Sequence, residues 1–263
     1  SGGAVLYIAQ YLYHGLDLYD RAIAVLLEAH QEKRLEEGGQ AQLVVYLQDR
    51  KRFAESIPVL EPLIQSRPGN INYRCQLMHA FFQTGKEESV RACLKKADAD
   101  FHAAKLWNES TISSLAQACV LNKLLPEAVA YCKELIPLHQ RTQPNRGIGN
   151  GTLSQYHTWL ADAHSGLGQT LEAVDAACGA IVSWGSRSDQ RHQALDVLMR
   201  VVRNAQDLDR LAESLNRKAE ETGMENPAVR KALGRILLEK RKFAQAVAQL
   251  GRTSIVNETA ALL

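Results

Sequence analysis

The stretch YHTWLADAHSGLGQTLEAVDAACGAIVS, Tyr156–Ser183, reads as two short helices joined by a glycine turn. Apolar and small residues recur at three- and four-residue steps on both sides of Gly166-Leu167-Gly168, the spacing of one helical face. Ala161 on the first helix and Ala173 on the second mark where an antiparallel pair would come closest, since a larger side chain would hold the backbones apart. Gly168 sits where a helix stops by turning left-handed, a conformation that costs residues with a Cβ more. The unit is therefore a helix hairpin, too small to bury its own apolar surface.

The same layout recurs along the chain. Leu77-Met78-His79-Ala80-Phe81-Phe82-Gln83-Thr84-Gly85 reads as a first helix and turn, and Phe53, Ser56, Leu60 and Pro68 as a second helix with its terminating proline. Leu115-Ala116 with Cys119, followed by Leu125, Ala128 and Cys132, gives another unit; Leu233-Gly234 with Leu237, followed by Phe243, Ala246 and Leu250, gives one near the end. Tyr19, Ala22, Leu26 and Ala29 mark a first unit whose turn near Gly15 is about two residues longer than the rest. Strand signals, meaning alternating runs of β-branched residues, are nearly absent. This pattern resembles the tetratricopeptide (TPR) repeat, and the resemblance spans nearly the whole chain in about seven units, two of them degenerate. It implies an all-α fold, an α-α superhelix: a solenoid of stacked antiparallel helix hairpins filling residues 1–263.

The small-residue landmark of each second helix is read at Ala22, Ser56, Ser89, Ala128, Ala173, Leu211 and Ala246, at intervals of 34, 33, 39, 45, 38 and 35 residues. A strict TPR array repeats at 34. The longer central intervals carry insertions, chiefly the stretch 141–152, whose three glycines, proline and two asparagines predict a long loop between repeats. Leu211 is the poorest landmark unless Ala212 replaces it. Pro58 falls near the first turn of its helix, where proline is tolerated, whereas Pro62 is expected to bend it. Asn226-Pro227 reads as an N-cap followed by a first-turn proline.

Composition narrows the function. The 31 basic and 29 acidic residues nearly cancel, and a pI near 8.2 falls short of the basic balance expected of a nucleic-acid-binding domain. No apolar run approaches the roughly 18 residues a membrane span needs, so no membrane insertion is expected. Five cysteines, Cys75, Cys93, Cys119, Cys132 and Cys178, lie in helical stretches without CxxC spacing. They read as buried thiols in a reducing, cytoplasmic setting. The opening Ser1-Gly2-Gly3 and the apolar close Ala260-Ala261-Leu262-Leu263 lead us to expect a piece of a longer protein, with other domains of that chain among its contacts.

Nothing in the sequence argues for an enzyme, a cofactor or a metal. Gly147-Ile148-Gly149-Asn150-Gly151 lacks both the preceding strand and the Lys-Ser/Thr of a phosphate loop. His157 and His164 stand seven residues apart, about 10 Å along a helix, rather than at the i, i+4 spacing of helical metal ligands. They occupy core-type positions. Cys119 and Cys132 read as small apolar fillers, with a redox pair as the lesser alternative.

The resemblance implies that first helices line a concave groove. Carried over position by position, it nominates Asn72, His79 and Phe82 with Cys75, then Ser113 and Gln117 with Ser110, then Gln155, Thr158 and Asp162 with Ser165, and finally Lys231 and Arg235. The implied groove is polar with a basic end, suited to another protein's extended peptide or helix. The asparagines that would clamp a C-terminal carboxylate are missing. A non-catalytic interaction scaffold is thus expected. The alternatives are an RNA-binding repeat of the pentatricopeptide kind and a ligand-sensing regulatory domain closed by the 141–152 loop.

If Ala173 marks the closest approach, Ala173→Leu should overpack the hairpin and destabilise the chain by roughly 1–3 kcal/mol in chemical denaturation. An unchanged unfolding midpoint would mean that the register is wrong.

Overall fold

The computed structural model describes residues 2–143, 151–184, 196, 200, 213, 217, 233–238 and 240–250. All regular structure among them is helical: α1 (Gly2–Gln10), α2 (Tyr19–Gln31), α3 (Glu37–Asp49), α4 (Phe53–Ser66), α5 (Ile71–Gln83), α6 (Glu87–Ala103), α7 (Glu109–Leu121), α8 (Leu125–Thr142), α9 (Gly151–Gly166), α10 (Thr170–Trp184) and a last helix Phe243–Leu250. The chain packs as two compact units, residues 1–122 and 123–263. In the first, α1 packs on α2, α3 on α4 and α5 on α6, and each hairpin also packs on the next. In the second, α9 lies between α8 and α10. Each unit is therefore built of stacked antiparallel helix hairpins.

Six second helices carry a landmark four residues beyond the residue that precedes the helix. These are Ala22, Ser56, Val90, Ala128, Ala173 and Ala246, all fully or almost fully buried. In the third hairpin the landmark is Val90, which donates to the Lys86 carbonyl, whereas Ser89 is only half-buried. This corrects the reading of Ser89 by one residue. Ala22, Ser56 and Val90 then follow one another at a strict 34-residue step. Ala161 and Ala173 are both wholly buried, as are Ala177 and Ala180, and the Ser154 hydroxyl donates to the Ala180 carbonyl at 2.8 Å, tying α9 to α10. Gly179 contributes to the same approach, since a Cβ there would stand 2.6 Å from His157 Nδ1.

The turns share one hydrogen-bond pattern. At Gly85 (φ 72°) the amide donates to Phe82 and the next amide, of Lys86, to Phe81; at Lys51 (φ 61°) the pair is Lys51 to Gln48 and Arg52 to Leu47. Gly168, Lys33, Lys105 and Arg241 repeat it. This is the Schellman ending, in which two otherwise orphaned carbonyls are satisfied. A cation in the left-handed position costs backbone strain but stands by the negative end of the helix dipole.

The first turn is no longer than the others: residues 16–18 separate its helices as 50–52 and 84–86 do in the next two hairpins, which corrects the expected two-residue surplus near Gly15. The first helix instead ends in a π-helical stretch, Tyr11–Gly15, which closes when the Leu18 amide donates to Leu12 at 2.8 Å. A π-helical turn is wider than an α-helical one. The widening keeps Tyr13 inward, stacked on Tyr46 at 3.7 Å between ring centroids, with its hydroxyl donating to the Asp49 carboxylate. Burial and that carboxylate push the Tyr13 phenol well above its ordinary pKa. Helix α4 runs unbroken through Pro58 and Pro62, both exposed, so the missing amide donors fall on its solvent side. Between α5 and α6, buried Arg74 pairs with Asp100 at 2.5 Å, its guanidinium 5.8 Å from the centre of the Phe101 ring. The landmarks Leu211 and Ala212, the cap at Asn226-Pro227 and residues 144–150 of the expected loop lie outside the described residues.

Two turn substitutions separate strain from packing. Gly85→Ala, with open space around the new methyl group, should destabilise by about 1 kcal/mol through φ alone. Lys51→Gly should be stabilising by up to about 1 kcal/mol, because the strain it relieves exceeds the chain entropy it adds. Urea unfolding of both variants checks the two signs together.

Candidate functional site

The predicted groove residues of α5 and α7 fall on one face of each helix. Asn72 is exposed, its backbone amide donating to the Asn70 side chain at 3.1 Å, a cap that starts α5. Ser110 and Gln117 are exposed, and Ser113 and Phe82 half-buried. Cys75 and His79 serve a joint: the Cys75 thiol donates to the Ser114 carbonyl at 3.6 Å, and His79 Nδ1 lies 3.2 Å from Oδ1 of buried Asn122. An amide oxygen only accepts, so that imidazole nitrogen carries the proton. The His79 and Phe53 rings meet edge to face with centroids 5.3 Å apart.

The 34-residue register extends this face to helices the sequence reading passed over. Subtracting one repeat from 72, 75, 79 and 82 lands on Gly38, Ala41, Val45 and Gln48 of α3, and a second subtraction on Ala4, Tyr7, Tyr11 and His14. None of these eight residues is buried; Tyr7 and Tyr11 are 71% and 58% exposed and Val45 46%. Adding 38, the distance from Val90 to Ala128, gives Ser110, Ser113, Gln117 and Val120, also unburied. The four sets are physically joined. α1 packs on α3, the Gln48 side-chain amide donates to the Gln76 carbonyl of α5 at 3.0 Å, and α5 joins α7 as above. The strip holds no Lys, Arg, Asp or Glu, in a chain of which 23% of residues are charged. The signal that could have found it is the register itself, applied backwards from the third hairpin.

In the second unit, Gln155 and Ser165 are half-buried, whereas Thr158 is only 7% exposed and its hydroxyl donates to the Ser154 carbonyl at 2.9 Å. Asp162 pairs with Arg200 at 3.1 Å. Burial raises the Asp162 carboxyl, and Arg200 and Lys123 oppose that shift. Arg235 is half-buried, and Lys231 lies outside the described residues. His164 is buried, with Nδ1 2.6 Å from the Gln169 amide oxygen. No three His, Cys, Asp or Glu side chains among the described residues are grouped as a metal site, and no described helix is long and apolar enough to cross a membrane. All five cysteines are free thiols, Cys119 and Cys132 among the buried ones.

The fold defines the class: an α-hairpin repeat protein. No protein-family model matches the chain, and no curated protein matches it. Among solved structures it is similar to TTC0263, a thermophilic TPR protein of Thermus thermophilus, with a TM-score of 0.35 and 13% identity over 94% of this chain and 100% of that one. It is likewise similar to the TPR domain of P58(IPK), with a TM-score of 0.31 and 10% identity over 99% of this chain and 75% of that one. At such scores the stacked hairpins described above, and not the overlays, establish the fold.

Burial pushes the Cys75 and Cys132 thiols up to about 12 and that of Cys93 to about 11, nearby Arg74 limiting the last. At pH 8 the reactive thiolate is thus scarce, and native iodoacetamide labelling at these three sites should run at least about 100-fold slower than in the unfolded chain. Peptide-resolved mass spectrometry of a labelling time course measures the ratio.

Proposed function

We propose that this chain is a non-catalytic protein-interaction scaffold that receives an extended, largely uncharged peptide segment along the first helices of residues 1–122. The observation that carries the reading is the strip from Tyr7 to Gln117, which leaves side chains of the alternate helices α1, α3, α5 and α7 uncovered without one formal charge. Solvated repeat faces ordinarily carry mixed charge, as α6 does with Glu87, Glu88, Arg91, Lys95 and Lys96. Asn72 and Gln117 supply amides that pair with both the donors and the acceptors of a peptide backbone, and Gln48 adds a carbonyl oxygen. Tyr7, Tyr11 and Val45 supply apolar contact at one end. An RNA partner would call for cations to meet its phosphates, and the strip offers none. Gln155, Asp162 and Arg235, nominated from the sequence, are proposed as contacts on the second unit's own groove face.

The test is selection from a displayed random peptide library, followed by calorimetry. Selected peptides should be neutral and aromatic-bearing, with affinity changing less than about threefold between roughly 50 and 500 mM salt, since exposed ion pairs are screened over that range. Val45→Asp and Gln117→Glu, both at exposed positions, should each weaken binding at least about tenfold, a loss of about 1.4 kcal/mol, without shifting the melting temperature. Strongly charged selected peptides, or variants that bind as the parent does, would overturn the proposal.

A further inference from the structure

The second unit holds a cleft of about 810 Å³ lined by Lys133 of α8, His157, Leu160 and His164 of α9, Leu171, Glu172, Asp175, Ala176 and Gly179 of α10, and Glu213 and Arg217. It is not the groove predicted from the repeat. At 100° per residue, the α9 face made by 157, 160 and 164 is turned roughly 140° from the face made by 155, 158, 162 and 165. Its volume falls within the range of ligand sites, about 300–1,000 Å³.

Three features define what would fit. First, His164 is buried, only 4% exposed, and its Nδ1 must donate to the Gln169 oxygen. In the neutral ring Nε2 is then the lone-pair acceptor, and among the described residues nothing pairs with it. Second, Glu172 and Glu213 are exposed on the cleft wall and form no ion pair among the described residues. With Asp175 they make three carboxylates against the two cations Lys133 and Arg217, leaving a net acid. Third, Leu160, Leu171 and Ala176 give the same cleft an apolar lining, and Leu171 is 42% exposed.

We infer that this cleft is a second binding site, for a basic segment of a protein partner. The aliphatic stem of a lysine or arginine would lie on Leu160 and Leu171, with its ammonium or guanidinium held by Glu172, Glu213 and His164 Nε2. A long cationic side chain has that division between apolar stem and charged head. Such a site adds a second point of attachment on a face of α9 separate from the groove set, so one scaffold can hold two segments at once.

The test uses the full chain and three fluorescein-labelled, end-blocked pentapeptides that differ only in charge: Leu-Lys-Ala-Arg-Leu, Leu-Gln-Ala-Gln-Leu and Leu-Glu-Ala-Glu-Leu. Anisotropy at low salt should show saturable binding of the basic peptide at least about tenfold tighter than of the neutral one. The double variant Glu172→Gln, Glu213→Gln changes two exposed side chains to near-isosteres and should erase that preference, whereas Asn72→Ala with Gln117→Ala should leave it intact. Circular dichroism confirms that each variant is folded. Absence of saturation, equal binding of the three peptides, or a preference that survives the double glutamine variant would each overturn the site.

Discussion

Among the described residues, the hairpins within each unit depend on the approach of two helices at one position near the start of the second. Ala22, Ser56, Ala173 and Ala246 occupy it and are wholly buried. A fixed contact there fixes the rotation of both helices about their axes, and rotation decides which side chains are covered by the neighbouring hairpin and which stay out. The 34-residue step of the first three hairpins is therefore more than a count. It forces residues 34 apart onto equivalent faces, which is why Ala9, Leu43 and Leu77 are all buried while Tyr7, Ala41 and Cys75 all keep some exposure. Val90 shows that the position tolerates a β-branched residue when its neighbours leave room.

The turns hold that rotation by a different means. A Schellman ending uses only backbone groups, so its geometry does not depend on which side chain sits in the left-handed position. The chain places glycine there at 85 and 168 but lysine at 33, 51 and 105. What changes is the strain. Lysine offsets part of it through the helix dipole, and its charge stays in water at the hairpin edge, outside the strip. Polar edges and a neutral face thus arise from the same local choice.

Much of this was legible before any coordinates. Hairpin boundaries followed from Gly85 and Gly168, and Ala161 and Ala173 were recognisable as close-approach residues because small side chains at helical spacing have few other reasons to recur. Ser89 misled, since a rule that looks for a small residue prefers serine to the valine beside it, and only burial chooses between them. The π-helical stretch was not legible: Gly15 suggested a turn two residues longer than the rest, whereas the turn keeps its length and the end of the helix widens where Tyr13 reaches both Tyr46 and Asp49, a tertiary contact. Individual groove residues were readable on α5 and α7. The strip as a whole was not, because an absence of charge is noticed only once the four helices share one register.

The same register argument separates the two candidate surfaces. On α9 a side chain can serve the groove set or the cleft set but not both, because the two faces diverge by more than a third of a turn. Thr158 has already left the first set, its hydroxyl turned back to the carbonyl of Ser154. His157 and His164 belong to the second, and Gly179 is the residue that lets the His157 ring lie against α10 at all. That division gives the two candidate surfaces different electrostatics: a neutral strip on residues 1–122, where the proposed peptide would be read by amide pairing and shape, and an acid-rich cleft in the second unit, where charge would do the selecting. On the two proposals, a salt titration should move the second and spare the first, so the two surfaces would be told apart in one sample.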